Sequence, residues 1–285
     1  MIRLVLTADD AGLAAPHSRR IASLLASGRL TATSLLACGP AFCEAAEALR
    51  AAGVVEAGVH LCAVGGETPL SPPPSVSSLA PGGRFPRSWF AVATRVAAGR
   101  VRIAEVEREW ETQLVAVREA GFRVTHLDSH QHLHLLPMLL PVAVALACRH
   151  GVPFVRAPHA DDPAALGSPV SLTARARARL LSLFGAAARR RIADAGLPVP
   201  PRVLGLAEAG RMALRGWRSL LESLPANGTF EVVLHPGADD PHALARYPWG
   251  YAWEEEAAAL ERDELAALLA SRGIETVSFP RLAAG

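Results

Sequence analysis

The sequence predicts a parallel α/β barrel, complete or one (β/α) unit short. Three observations carry this. The chain has 285 residues, a length that suits one α/β barrel. Hydrophobic residues make up 51% and charged residues 20%, so a large core is available and wholesale disorder is excluded. Short β-rich runs alternate with alanine- and arginine-rich helical stretches, which favours parallel strands joined by helical crossovers.

In chain order, the strand candidates are Ile2–Thr7, Thr31–Ala37, Ala57–Leu61, Val124–Asp128, Phe154–Arg156, Phe230–Leu234 and Thr276–Phe279. Between them, leucine, alanine and valine recur at three- and four-residue spacing. That spacing predicts helices over about 16–28, 41–52, 103–120, 138–150, 173–195, 211–223 and 254–272. Gly53, Gly121, Gly151 and Gly273 stand where helices should stop. Residues 1–285 read as a single domain with two interruptions. A loop insertion at about 65–100 opens with the Pro-, Gly- and Ser-rich run Gly65 to Arg87, and a helical insertion spans about 159–201.

Composition excludes several function classes. The net charge of +2 gives no bulk electrostatic case for nucleic acid. All 29 basic residues are arginine, which excludes a Schiff-base lysine, a P-loop lysine and a lysine-dependent kinase. The longest apolar run, Leu135 to Cys148, contains Pro137 and Pro141 and is too short for the roughly 20 residues of a membrane span. The opening MIRLVLTADD reaches two aspartates too early for a signal peptide. Cys38, Cys43, Cys62 and Cys148 form no CxxC pair and are expected as buried thiols in a reducing cytoplasm.

The ionisable residues fall at the carboxyl ends of the strand candidates: Asp9 and Asp10, His60, Asp128 and His130, Arg156, and His235. In a barrel those ends share one mouth, the place of the active site. Adjacent carboxylates at Asp9–Asp10 repel each other, which a cation or proton relieves; a helix N-cap is the alternative for Asp10. His60 in GVHL fits either a core histidine or a ligand. THLDSHQHLH holds four histidines and one aspartate, the donor set of a borderline divalent metal. Period-two alternation puts His126, Asp128 and His130 on one face, with His126 or Asp128 free to orient a ligand from behind. His235, before Pro236 and Gly237, fits a fourth ligand, a proton donor or a structural turn residue. Arg156 fits either a clamp on substrate or a partner for a core acid. Trp249, Tyr251 and Trp253 fit either a sugar-stacking platform or ordinary core.

TADDAG, GVHL, THLDSHQHLHLLP, VRAP and VLHPG occur in an order that resembles the YdjC-like carbohydrate deacetylases, across nearly the whole chain. RVLGLAEAG, ESLPANGTFEVVLHPG and YPWGYAWEEEAAAL are similar to the subgroup associated with hopanoid biosynthesis, HpnK. The resemblance implies a barrel of the polysaccharide-deacetylase (NodB-like) kind. It also implies one divalent metal on Asp10, His60 and His130, with Asp9 as general base and His235 as general acid. Zinc or magnesium is the implied ion, with cobalt or manganese also compatible. Arg156, Trp249 and Trp253 are the expected substrate contacts. Where the family has phenylalanine after the aspartate pair, this chain has Ala11.

The implied activity is hydrolysis of an amide C–N bond, removing acetyl from an N-acetylglucosamine unit on a glycosylated hopanoid lipid. A chitooligosaccharide deacetylase is the alternative, and a non-catalytic metal- or sugar-binding protein a further one. A metal-dependent amidohydrolase or phosphoesterase fits less well: His132-x-His134 lies late for its HxH motif, and there is no lysine to bridge metals. The expected location is cytoplasmic, with possible peripheral contact at the inner membrane face and a possible homodimer. Arg175, Arg177, Arg179, Arg189, Arg190 and Arg191, interleaved with Leu180, Leu181, Leu183, Phe184 and Ile192, suggest an amphipathic helix that lies on an anionic surface.

Overall fold

The computed structural model describes residues 1–158 and 172–283; within the helix that opens at Leu172, it leaves the side chains of 172–175, 177 and 178 undescribed. Among the described residues, eight strands form one sheet: β1 (Ile2–Ala11), β2 (Ala32–Leu35), β3 (Glu56–Leu61), β4 (Arg123–Ser129), β5 (Phe154–Val155), β6 (Arg202–Leu204), β7 (Gly228–Leu234) and β8 (Ile274–Thr276). Their order is β5-β4-β3-β2-β1-β7-β6, with β8 beside the first half of β1. Every pairing is parallel. This is the barrel-like α/β architecture the alternation predicts.

Helices α1 (Ala15–Ala26), α2 (Phe42–Ala51), α3 (Trp89–Ala97), α4 (Ile103–Glu119) and α5 (Leu140–Arg149) follow the first strands. The rest are α6 (Leu172–Asp194), α7 (Leu214–Ser223), α8 (Pro241–Arg246), α9 (Trp253–Glu261), α10 (Asp263–Ser271) and α11 (Phe279–Ala283). The predicted helix over 254–272 is two helices, broken at extended Arg262. The predicted strand Thr276–Phe279 keeps only Thr276, because Phe279 begins α11 and packs on Phe154 and His126. Strand β6 is only three residues long and carries too little pattern to be foreseen. The loop insertion contains α3, whose amphipathic run was hidden behind the proline-rich stretch.

Between β5 and β6 the sheet is bridged by a helix rather than, among the described residues, by a further strand. Arg189 of α6 donates to the carbonyls of Ala157, just after β5, and Pro201, just before β6, at 3.2 Å each. Gly185 lets this helix press on Pro158, whose carbonyl oxygen lies 2.2 Å from where a Cβ would stand. Residues 159–171 of the predicted helical insertion lie outside the described chain. All four cysteines are free; Cys38 and Cys62 are buried, whereas Cys43 and Cys148 are exposed, against expectation.

The core fills both faces of the sheet, with Trp110, Trp217 and Phe230 fully enclosed. Gly58 marks a tight spot: a Cβ there would lie 2.3 Å from Nε2 of His126, whose ring is stacked on Phe279 at 4.1 Å. Neither ring has room to retreat. Gly58→Ala should therefore destabilise the protein by about 1–3 kcal/mol, read as a lower urea midpoint with an unchanged m-value.

Candidate metal centre and active site

Parallel strands place their carboxyl ends on one rim, and the sequence loads that rim with charge. Two backbone devices focus it. In a regular strand, Asp9 and Asp10 would face opposite sides. The β1–β2 register shifts between Ala8 and Ala11, and Asp10 takes φ 65°, a left-handed conformation that Asp tolerates better than most residues. Both carboxylates thereby line the same cavity. The following turn is held by Ser18, whose hydroxyl accepts from the Gly12 N–H at 3.0 Å and donates to the Ala14 carbonyl at 2.8 Å. Asp10 does not cap α1, which begins at Ala15 after Ala14 and has no side-chain cap. After β4, Gln131 and His132 also adopt positive φ, and Gln131 ties this turn to α3 by accepting from the Trp89 N–H at 2.9 Å.

Asp10, His60 and His130 are each nearly fully buried and offer ligand atoms within 4.8 Å of one another. Oδ1 of Asp10 lies 3.1 Å from Nε2 of His60 and 3.0 Å from Nδ1 of His130. The other nitrogen of His60, Nδ1, lies 2.9 Å from Oδ1 of Asp128. Asp128 thus orients the His60 imidazole from behind, favouring the tautomer that turns the Nε2 lone pair toward Asp10. Ser34 braces this pair, donating to Oδ2 of Asp128 at 3.0 Å and lying 3.2 Å from Nδ1 of His60. His126 takes no part; burial pushes it down to about 3, a neutral core histidine.

A second cluster, Asp9, His60 and Asp128, also meets the distance requirement for an ion, but a cation already occupies it. Arg156 sends Nη1 and Nη2 to the two oxygens of Asp9 at 2.6 and 2.8 Å. Its Nη2 also reaches Oδ2 of Asp128 at 2.8 Å, and Nε and Nη2 reach Oε1 of Glu231 at 3.0 and 2.7 Å. Arg156 is 2% exposed and does not line the cavity. It pairs with core acids rather than clamping substrate, which corrects the expectation of a substrate contact. Three carboxylates around one guanidinium, with Asp10 beside them, leave an excess of negative charge that favours a divalent cation.

The protonation pattern follows. Burial alone would raise Asp10, but the His130 and His60 imidazoles outweigh it and hold the carboxyl well below its usual range. Burial would lower His60, but Asp128 and Asp10 raise it well above the ordinary value; His130 is raised likewise, chiefly by Asp10. Burial raises Glu231 against the pull of Arg156. His235, at the end of β7, has Nε2 3.9 Å from Oδ2 of Asp10, and burial lowers its pKa. Its backbone N–H donates to Oε2 of Glu256 at 2.6 Å, and Glu256 also accepts from the Met212 N–H at 2.9 Å. Burial pushes Glu256 up to about 7.

The cavity holds about 310 Å³ and has two characters. Asp9, Asp10, His60, His130 and His235 form its floor, while Leu133, Leu135, Leu136, Leu181 and Phe184 make an apolar wall. Trp249 lies 5.1 Å from the His130 ring and Tyr251 4.9 Å from that of His235. Trp253 is 1% exposed, packs on His17 and does not line the cavity; it is core, not a sugar platform. The apolar residues of α6 are divided between cavity wall and core, with Ile192 buried and Leu183 left 68% exposed. Arg175 and Arg177 lie outside the described side chains. Ser34, Glu231 and Glu256 were missed from sequence. Glu231 had a signal, a charged residue inside an apolar strand.

Arg156→Met should cost about 3–5 kcal/mol by orphaning its buried carboxylates. Without the guanidinium those groups keep protons in the folded state, so the variant loses stability as pH rises, and urea melts should show a smaller deficit in acid than in mild alkali. In the metal-free protein, the raised His60 and His130 give stability that is present below about pH 6.5 and lost as pH rises through their folded values. A metal competes for the same lone pairs, so chelator competition should show affinity strengthening from about pH 6 to about pH 8.

The chain is similar to several known proteins. The YdjC-like protein family matches residues 3–271. A carbohydrate deacetylase of Mus musculus is 32% identical over 246 residues, 83% of this chain and 78% of that protein. A carbohydrate deacetylase of Homo sapiens is 36% identical over 160 residues, 55% of this chain and 49% of its own length. A crystal structure from Enterococcus faecalis, described as a candidate cellobiose-phosphate cleavage protein, superposes with a TM-score of 0.77 at 25% identity, covering 98% of both chains. The chain therefore belongs to the YdjC-like family, and with it to a group of hydrolases that cleave amide C–N bonds.

Proposed function

We propose that this chain is a metal-dependent N-deacetylase that removes acetyl from an N-acetylglucosamine unit, carried on a glycosylated hopanoid lipid. One observation carries the chemistry: in a single cavity, an Asp-His-His donor set is flanked by the carboxylate of Asp9 and the imidazole of His235. The donor set fits a divalent ion, because Asp128 already holds Nδ1 of His60 and leaves Nε2 for a ligand. Asp10, His60 and His130 would hold the ion. Two imidazoles and one carboxylate suit zinc, cobalt or manganese, and a water-rich site would admit magnesium. When bound, the ion supplies Lewis acidity toward the acetyl group and an acidified water.

The remaining steps belong to the protein. Arg156 fixes Asp9 by two N–H bonds and leaves its outer lone pairs for a proton. Asp9 takes the proton of the attacking water as general base. His235 takes up a proton in the cycle and passes it to the departing amine as general acid, a role worth about 10²–10⁴-fold. Glu256 sets the aim of His235 through its backbone N–H. Trp249 and Tyr251 pack against the faces of the sugar.

The hopanoid tail is supported by the apolar wall, more than a short soluble sugar requires. Exposed Leu180 and Leu183 of α6 and Phe90 of α3 continue that character outward. No helix among the described residues is long and apolar enough to cross a membrane, so contact with a lipid substrate would be peripheral. The barrel is of the polysaccharide-deacetylase (NodB-like) kind, and residues 1–285 act as one catalytic domain.

Incubation with N-acetylglucosaminyl hopanoid extracts, followed by mass spectrometry, should show loss of one acetyl group, with acetate in solution. Preference for short chitooligosaccharides would overturn the lipid assignment, and metal binding without acetate release would point to a binding protein. Asp9→Asn and His235→Ala should each lower kcat by about 10²-fold or more while metal stays bound. Loss of metal in Asp9→Asn would make Asp9 a ligand and void its role as base.

A further inference from the structure

Behind the His235 turn, three rings meet with polar atoms that the deacetylase chemistry above does not use. His17 lies on the first turn of α1, just after Pro16, and is 1% exposed. It does not line the cavity. Its ring packs at a steep angle on Trp253, with centroids 5.2 Å apart. Its Nδ1 is set against the turn that follows His235: a Cβ on Gly237 would stand 1.8 Å from that atom. Any side chain at position 237 would exclude the imidazole.

The start of α9 grips the same turn. The Gly237 N–H donates to the Trp253 carbonyl at 3.1 Å, and the His235 N–H to Oε2 of Glu256 at 2.6 Å. The backbone of the turn is thereby satisfied, but the rings around it are not. Among the described residues, Nδ1 and Nε2 of His17, Nε1 of Trp253 and Nδ1 of His235 are buried without a hydrogen-bond partner. Buried polar atoms are rarely left unmatched, and one ordered water commonly joins two to four of them. Burial pushes His17 down to about 4, against the pull of Asp10 and with the help of His235, so its imidazole enters this cluster neutral.

What meets Nδ1 of His235 decides what its other nitrogen can do. Nε2 lies toward Asp10, and the residue lines the cavity. A neutral imidazole carries one proton, and a hydrogen bond donated to Nδ1 keeps that proton on Nε2. Among the described residues, no carboxylate meets Nδ1. We propose that His17 is a positioning residue for His235: the two imidazoles and the Trp253 indole hold one buried water, which accepts from the indole N–H, donates to Nδ1 of each histidine, and keeps the His235 proton on Nε2. The link between the rings stands on their cluster alone; its use in catalysis rests on the deacetylase reading.

The test uses the zinc-loaded enzyme carrying isotope-labelled histidine. Long-range proton–nitrogen NMR at about pH 8, where free imidazoles are neutral, should find His235 and His17 each with the proton on Nε2. His17→Phe keeps a ring but removes both nitrogens, and thermal melts check that it folds. It should leave His235 as a mixture of tautomers and lower kcat by about tenfold, part of the general-acid effect, with KM little changed. His17→Asn places an amide where Nδ1 stood and should restore both. A proton on Nδ1 of His235 in the parent would overturn the link without recourse to any variant. An unchanged His235 tautomer in His17→Phe would overturn it too. A changed tautomer with unchanged kcat would overturn its use in catalysis. A tautomer that depends on His17, without acetate release by any form of the enzyme, would leave the link standing and refute the deacetylase reading.

Discussion

One buried guanidinium holds the charged rim of the sheet together. Arg156 comes from the residue after β5, yet it binds Asp9 of β1, Asp128 of β4 and Glu231 of β7. Those strands span much of the sheet, so this ion cluster acts as a cross-brace at the carboxyl ends of the strands. Its effect passes outward in steps. Fixing Asp128 fixes His60 through Nδ1, and fixing His60 places Nε2 next to Asp10. The orientation of two groups that never touch Arg156 depends on it. A buried cluster of this kind is weak evidence for stability, because desolvating four charges is costly. It is better understood as positional, since removing the guanidinium takes a charged partner from all three acids at once.

The backbone carries a matching cost. A straight β1 would turn Asp9 and Asp10 to opposite faces, one toward the cross-brace and one away from the cavity. The register shift and the left-handed Asp10 bring them together, so that neighbouring carboxylates serve different partners: Arg156 for Asp9, and the imidazole pair for Asp10. Repulsion between adjacent acids is thereby relieved by separate partners, a guanidinium for Asp9 and two imidazoles for Asp10. Of the two clusters with suitable distances among the described residues, Arg156 fills the one at Asp9 and Asp128 and leaves the one at Asp10, His60 and His130 without a guanidinium.

Much of this was legible in the sequence, for a physical reason. Parallel strands put their ends on one rim whatever the details of packing, so charged residues closing apolar runs could be assembled before any coordinates. Asp9, Asp10, His60, His130 and His235 were gathered that way, and all five line one cavity. What could not be read is what depends on distance across the sheet. Arg156 looked equally suited to substrate and to a core acid, because the sequence does not say that three carboxylates from three strands converge on it. Trp249 and Trp253 are four residues apart in one motif, yet α9 begins at Trp253 and turns it inward while Trp249 remains on the cavity wall. Ser34 had no signal, being a small polar residue in a short strand. Helix α3 was masked by the glycines and prolines before it.

The division of labour between strands and insertions explains the two-sided cavity. Strand ends supply the charged floor, and they are held rigidly because each is paired within the sheet and tied to the Arg156 cluster. The apolar wall comes from elsewhere: Leu133, Leu135 and Leu136 from the turn after β4, and Leu181 and Phe184 from the helix that occupies the gap between β5 and β6. A wall of leucine and phenylalanine excludes water from one side of the floor, and electrostatic interactions strengthen as water leaves. The apolar wall therefore sharpens the charge contacts beneath it. In this molecule the gap in the barrel is part of the site, because the helix that fills it gives the cavity Leu180, Leu181 and Phe184.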